Sequence, residues 1–302
     1  MVSCGSAVAA APVKAPVKGG ITLSPFEQQL SIAPDDTTRI FNLDLTNNTS
    51  SLQELSLSAR DFGSLNDTGG VLLEGSKAYA QKYGLTSWLA LGTNTVVLQP
   101  GEKRSVPVTI ENRDSLQPGG HYGAVVASVN SLNGQGDNKV VINQQLLSLI
   151  LVKKVGGERY NLKLKDVDQN GNWFRLPSKV KLRFQNPGNV HVVPRGVVKL
   201  KSPSGKILAQ GIINSESAYI LPETFRELYV PLTKVASSAP LPGAYSVEVD
   251  YRYDGINLAA IKSYPVRFLS LGTYAVLLVI VVVILYVLRR QKRASKKAAI
   301  TE

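Results

Sequence analysis

Arg39-Ile40-Phe41-Asn42-Leu43-Asp44-Leu45-Thr46 alternates apolar with polar residues from Phe41 onward. Ile40 stands apart, but Phe41, Leu43 and Leu45 fall on one side of an extended chain. Asn42, Asp44 and Thr46 fall on the other, which is the period of two of a half-buried strand. Asn47-Asn48-Thr49-Ser50 turns the chain, and Leu52, Leu55, Leu57 and Ala59 begin the next strand. The same texture runs through most of the sequence: short alternating runs broken by Pro, Gly, Asn and Asp.

Further along the chain, strands are expected at Thr95 to Leu98, Lys103 to Glu111, Tyr122 to Asn130 and Val140 to Lys154, with a hairpin at Asn133-Gly134. After Gly156-Gly157 they resume at Tyr160–Val167, Lys179–Phe184, Val192–Lys201, Lys206–Ile213, Thr224–Leu232, Ala244–Tyr253 and Ile256–Arg267. Turns are signalled at Asn170-Gly171, Pro203-Ser204-Gly205 and Asp254-Gly255. So many short strands at this spacing are the pattern of a two-sheet sandwich. The fold class is therefore all-β: two tandem Ig-like β-sandwich domains, at 21–155 and 158–267, followed by one transmembrane helix. The halves also echo one another. Val106-Pro107-Val108-Thr109 leads to Pro118-Gly119-Gly120-His121-Tyr122, and Val230-Pro231-Leu232-Thr233 leads to Pro242-Gly243-Ala244-Tyr245. A Pro-Gly turn into a Tyr-headed strand has the look of a tyrosine corner. Asn47 and Asn186 end strands at comparable places.

Residues 61–87 read as an insertion in the first sandwich. Ser76 is placed to cap a two-turn helix that Gly84 stops. Tyr79, Tyr83 and nearby Trp88 suit a loop that binds sugar or protein, and equally a lid on the open end of the sandwich.

Phe268 to Leu288 contains 21 residues and no charge, enough for a helix of roughly 31 Å. Arg289, Arg290, Lys292, Arg293, Lys296 and Lys297 follow. Together they predict a single-pass cell-membrane protein, the N-terminal domains extracellular and the basic tail at 289–302 cytoplasmic. Residues 1–20 read as a truncated signal and linker, with Ala7, Ala9 and Ala10 resembling a cleavage site and the true start expected upstream of Met1. Cys4 sits in a sequence that resembles a lipoprotein box. As the sole cysteine it makes no internal disulfide, and an exported chain without one suits a bacterial surface.

The net charge of +12 is unevenly placed. Residues 1–157 carry 12 basic and 12 acidic side chains, whereas 158–267 carry 16 and 9. Lys163 and Lys165, then Lys179, Lys181 and Arg183, then Lys199 and Lys201 alternate along their strands, so each row faces one side. If the strands adjoin, they form a basic face for anionic wall polymer or lipid phosphate; the plain alternative is a solvated face with lysines guarding sheet edges. Nucleic acid is not an expected partner. Asp166 to Asn172 matches the first half of a calcium loop, but position 12 is Pro177 and the flanks are strands, so a polar hairpin accounts for it. His121 and His191 lack a nucleophile signature, and there is no phosphate loop, dinucleotide fingerprint or Cys/His metal spacing. No enzyme, metal or cofactor is expected.

Across roughly 21–297 the sequence resembles the WxL-interacting surface proteins of Gram-positive bacteria. The resemblance rests on Leu23-Ser24-Pro25-Phe26-Glu27-Gln28-Gln29, Ile40–Asn48, Leu98-Gln99-Pro100-Gly101-Glu102 and Gly119-Gly120-His121-Tyr122-Gly123. Asp61-Phe62-Gly63-Ser64 stands where that family has a Thr-Thr-Asn-x-Asn-Gly-like loop. The resemblance implies two Ig-like domains, the first associated with peptidoglycan and the second with partner or host proteins. The expected function is a membrane-anchored scaffold that binds a cell-wall polymer or surface protein. The alternatives are an assembly factor resembling the two-domain pilus chaperones, which donate a strand edge to client subunits, and an adhesin for host or neighbouring cells.

Overall fold

The computed structural model describes residues 19–74, 76–129, 144–171, 174–236, 242–269 and 271–298. The Asn133-Gly134 hairpin, Cys4 and the cleavage-site residues lie outside them. The chain divides into two units, one of residues 1–62 and 73–156, the other of 63–72 and 157–302.

In the first unit one sheet has the order β1-β3-β8-β6: Ile21–Ser24, Thr38–Asn47, Lys103–Glu111 and Leu89–Leu91. The facing sheet has the order β2-β10-β9-β4-β5: Glu27–Ile32, Gln144–Lys154, Gly119–Val129, Gln53–Leu65 and Gly70–Leu73, of which residues 63–65 and 70–72 are counted with the other unit. Here β7 (Thr95–Leu98) pairs with the start of β4. The alternation of the opening octapeptide is borne out: Leu43 and Leu45 are fully buried while Asn42 is exposed. Two apolar clusters fill the sandwich. One is built on Leu45, Leu55, Leu98 and Val106, the other on Leu43, Val108, Ile110 and Ile150, and Leu23 and Leu91 pack against both.

The second unit sets β11-β12-β15 (Lys163–Gln169, Lys179–Gln185, Phe225–Pro231) against β16-β14-β13-β17-β18. The latter are Thr233–Lys234, Ile207–Ile213, Arg195–Lys201, Gly243–Tyr253 and Ile256–Phe268. One continuous cluster fills this sandwich, from Leu162 through Phe184, Val198 and Val247 to Phe268. Gly205 and Gly255 take φ of 82° and 83°, as their expected turns require.

Asn47 and Asn186 are fully buried, and each carboxamide fastens a turn. Nδ2 of Asn47 donates to the carbonyls of Ser51, Leu98 and Gln99, while its Oδ1 accepts from Thr49 N–H. Nδ2 of Asn186 donates to Val190 and Ile220, and its Oδ1 accepts from Gly188 N–H. The kinship of the halves stops short of the tyrosines. Tyr245 belongs to the core cluster of its sandwich. Tyr122 pairs with Leu151, whereas core-facing Ile150 and Val152 are the alternate residues of β10. Tyr122 therefore lies on the far side of its sheet, against Phe62 and Tyr83.

Residues 61–87, read as an insertion, contain several elements in succession. β4 runs on to Leu65, Asn66–Thr68 forms a single 3-10 turn, β5 returns, and α1 (Lys77–Tyr83) follows. Ser76 caps α1 by accepting from Tyr79 N–H, and Gly84 N–H closes its last turn on Ala80.

The membrane span is corrected. Among the described residues no helix is long and apolar enough to cross a membrane. Phe268 closes β18 instead of opening the span. The helix that follows, α2 (Leu271–Ala298), runs on through the basic segment, so apolar and cationic residues share one element rather than dividing into span and tail. The single-pass topology and the membrane partner inferred from 268–288 fall with it.

Replacing Asn47 or Asn186 by Ala strips buried carbonyls of their donor, and each change is expected to destabilise its own sandwich by roughly 2–4 kcal/mol. Hydrogen exchange in β3 and β8 for the first, and in β12 and β15 for the second, reads that loss.

Candidate partner-binding edge

The N-terminal strand of the first sandwich serves both sheets. β1 pairs antiparallel with β3; past the cis Ser24–Pro25 bond the chain changes sheet, and β2 pairs parallel with β10. The crossing point is tied down twice. Leu149 N–H donates to the Phe26 carbonyl at 2.8 Å, and buried Ser148 Oγ donates to the Pro25 carbonyl at 2.7 Å.

This arrangement leaves part of β10 bare. β2 covers Leu149 to Lys154, whereas Gln144 to Ser148 pair only with β9 among the described residues. Backbone groups alternate along a strand, so Gln145 and Leu147 present N–H and C=O to the same side as Leu149. A lane continues the line of β2 for about the length of one short strand. Phe26, 67% exposed, stands at its closed end. Half-buried Leu23 and Leu146, from opposite sheets, both pack on the same core cluster at this side.

Four other edges are treated differently. β6 and β16 contain three and two residues. β11 carries Lys163 and Lys165 and a bulge between Leu164 and Asp166. β18 carries Lys262, Pro265 and Arg267; Lys262 Nζ donates to the Leu164 carbonyl, strapping β18 to β11 of the opposite sheet. Short strands, Lys, Pro and bulges are the usual means of blunting an edge. Gln144-Gln145-Leu146-Leu147-Ser148 has none of them.

The residues singled out in the sequence lie elsewhere. Tyr79 and Tyr83 stack at 4.9 Å between ring centroids, Tyr83 lies against Tyr122, and Lys82 sits over its ring. Tyr83 is buried and Tyr79 half-buried, so these rings line the outer face of the β9 sheet rather than presenting a loop. Trp88 packs edge-on to His121, and its Nε1 donates to Ser115 Oγ. Asp61 holds the segment after α1 in place: its Oδ1 accepts from Leu85 N–H, Thr86 N–H and the Thr86 hydroxyl.

The basic rows do not make one face. Lys163, Lys165, Lys179, Lys181 and Arg183 belong to the β11-β12-β15 sheet, Lys199 and Lys201 to the other. Most have carboxylates opposite. Lys181 bridges Glu227 and Asp168; Arg183 meets Asp67; Lys199 reaches Glu248 and Asp250; Lys201 meets Glu248 at 2.6 Å. Lys179 lies over the Tyr229 ring. Hydrogen bonding to Glu227 holds the Lys181 ammonium above its usual pKa, and hydrogen bonding from Lys201 holds Glu248 below the usual carboxylate value. Asn170 Oδ1 accepts from Ser178 and Lys179 N–H, which is the work of a hairpin. The described residues contain no cluster of three or more potential metal ligands.

No family model matches the chain, and no curated protein matches it. Solved structures similar in fold include the class 5 fimbriae chaperone CfaA, at 12% identity over 81% of this chain and 98% of that one, with a TM-score of 0.45. The YadV chaperone is 13% identical over 82% and 99%, with a TM-score of 0.38. The E. coli chaperone DraB is 12% identical over 83% and 97%, also with 0.38. Likeness at this level concerns the two-domain all-β fold alone.

Two outcomes are expected. The amides of Gln145 and Leu147 exchange with solvent much faster than those of Leu146 and Ser148, which face β9; equal protection would mean the lane is filled. Burial holds the His121 imidazole below its ordinary pKa of 6.5, despite the Gln117 and Gly84 carbonyls at its two nitrogens. Below pH 6.5 the unfolded chain takes up the proton more readily, so the first sandwich loses stability as pH falls from 7.5 to 5.5. Melting temperatures across that window, compared with His121→Gln, isolate the contribution.

Proposed function

We propose that the chain is a non-covalent protein-binding module whose first sandwich receives an extended segment of another protein as an added strand beside Gln144 to Leu147. The work is that of an assembly factor holding a client by its backbone. The single observation that carries this reading is the half-edge of β10 left unguarded among the described residues, where β6, β11, β16 and β18 are short, charged, bulged or strapped. Main-chain hydrogen bonds to Gln145 and Leu147 supply affinity, and the apolar walls of the lane select the side chains. Partner capture also accords with the WxL-interacting resemblance, which we retain as part of the proposal. Wall-polymer binding through the basic rows has less behind it, since those rows are divided between two sheets and largely paired with carboxylates.

A photo-reactive phenylalanine analogue at Gln145, introduced in the cells that make the protein, is expected to couple to one extended segment of a partner. Leu147→Pro removes an outward N–H without touching the β9 ladder, and should abolish that adduct. An adduct that persists in Leu147→Pro, or none at all, refutes the reading.

A further inference from the structure

We infer that the segment received by β10 is uncharged and carries a single aliphatic side chain at the position opposite Leu146, inserted between Leu146 and Leu23. This rests on the edge-binding reading above and adds to it the chemistry of the partner.

The inference follows from register and face. In β2 the residues paired with Ile150, Val152 and Lys154 are Gln28, Leu30 and Ile32, and Leu30 and Ile32 pack into the core. Even-numbered partners of β10 therefore mark the inward positions of the lane, and the rule extends backward to Leu146. A strand beside Gln145, Leu146 and Leu147 bonds through its backbone to the first and last. Its middle residue points inward. There it meets Leu146 from β10 and Leu23 from β1, half-buried members of the edge of one cluster. In the second sandwich Lys262 straps β18 to β11, whereas in the first the two side chains flanking this position, Leu23 and Leu146, are apolar.

Charge argues the same way. Gln144 through Leu151 contains no ionisable residue, and neither does Ile21 to Phe26 on the opposite wall. A charged side chain inserted at the middle position would have no counter-ion and would lose its hydration. The flanking positions face the outer side, where Leu147 is half-buried and Gln145 exposed, so polar residues are accepted there. The inferred motif is polar, aliphatic, polar in an extended segment without proline at the bonding positions.

A displayed library of short random peptides, selected on the purified full chain and counter-selected on Leu147→Pro, tests this directly. Gln145→Pro serves as a second, independent block of the lane, with hydrogen exchange in β3 and β8 verifying that each variant folds. The expected result is an enriched alternating motif with Leu, Ile or Val at one fixed position. Changing that residue to Ala in a selected peptide should weaken binding about ten-fold, and changing it to Asp should abolish binding. Peptides that need the open lane but carry charged or polar residues at that position overturn the inference and leave the edge-binding reading standing. Failure to enrich any peptide over both proline variants overturns the two together.

Discussion

A backbone N–H or C=O at the margin of a sheet has no partner of its own, and water or another strand must supply one. That constraint shapes both sandwiches of this chain. Most margins are shortened, charged or interrupted, and the long strand β18 is fastened across to the opposite sheet by Lys262. The N-terminal strand meets the same requirement for β10 by changing sheets, but only along part of its length. What remains is a short stretch of ladder without charge, with Phe26 at one end and two leucines beneath. The backbone itself offers donors and acceptors there in a fixed spacing.

Within each sandwich the polar interior is kept to a few residues that hold the turns. Asn47 and Asn186 each spend a whole carboxamide on carbonyls that would otherwise be buried without donors. Asp61 does the same for the segment after α1, collecting three donors on one oxygen. These anchors leave the apolar clusters continuous beneath the loops. They also account for the similar build of two domains whose β9 and β17 tyrosines point to opposite sides.

The β architecture was legible because period-two alternation and Pro/Gly/Asn punctuation are local signals. All seven strands read in 158–267 are present, and the helix capped by Ser76 is where its cap places it. The candidate site was not legible, since it is defined by where β2 stops along β10, and register between strands far apart in sequence has no local signature. The basic rows misled for a related reason. Alternation establishes that Lys199 and Lys201 share a face, but not which sheet holds it, and Glu248 and Asp250 opposite them are distant in the chain. The apolar run 268–288 read as a membrane span from composition; its first residue closes β18, and from Leu271 it belongs to a helix that also carries the cations.

The parallel pairing of β2 with β10 joins residues more than a hundred positions apart, whereas β17 and β18 meet through a tight turn. Closing so large a loop costs chain entropy before any contact repays it, and distant pairing slows folding. The first sandwich is thus set to mature late, its opening strand waiting for its final one, while the second completes that side through neighbouring strands.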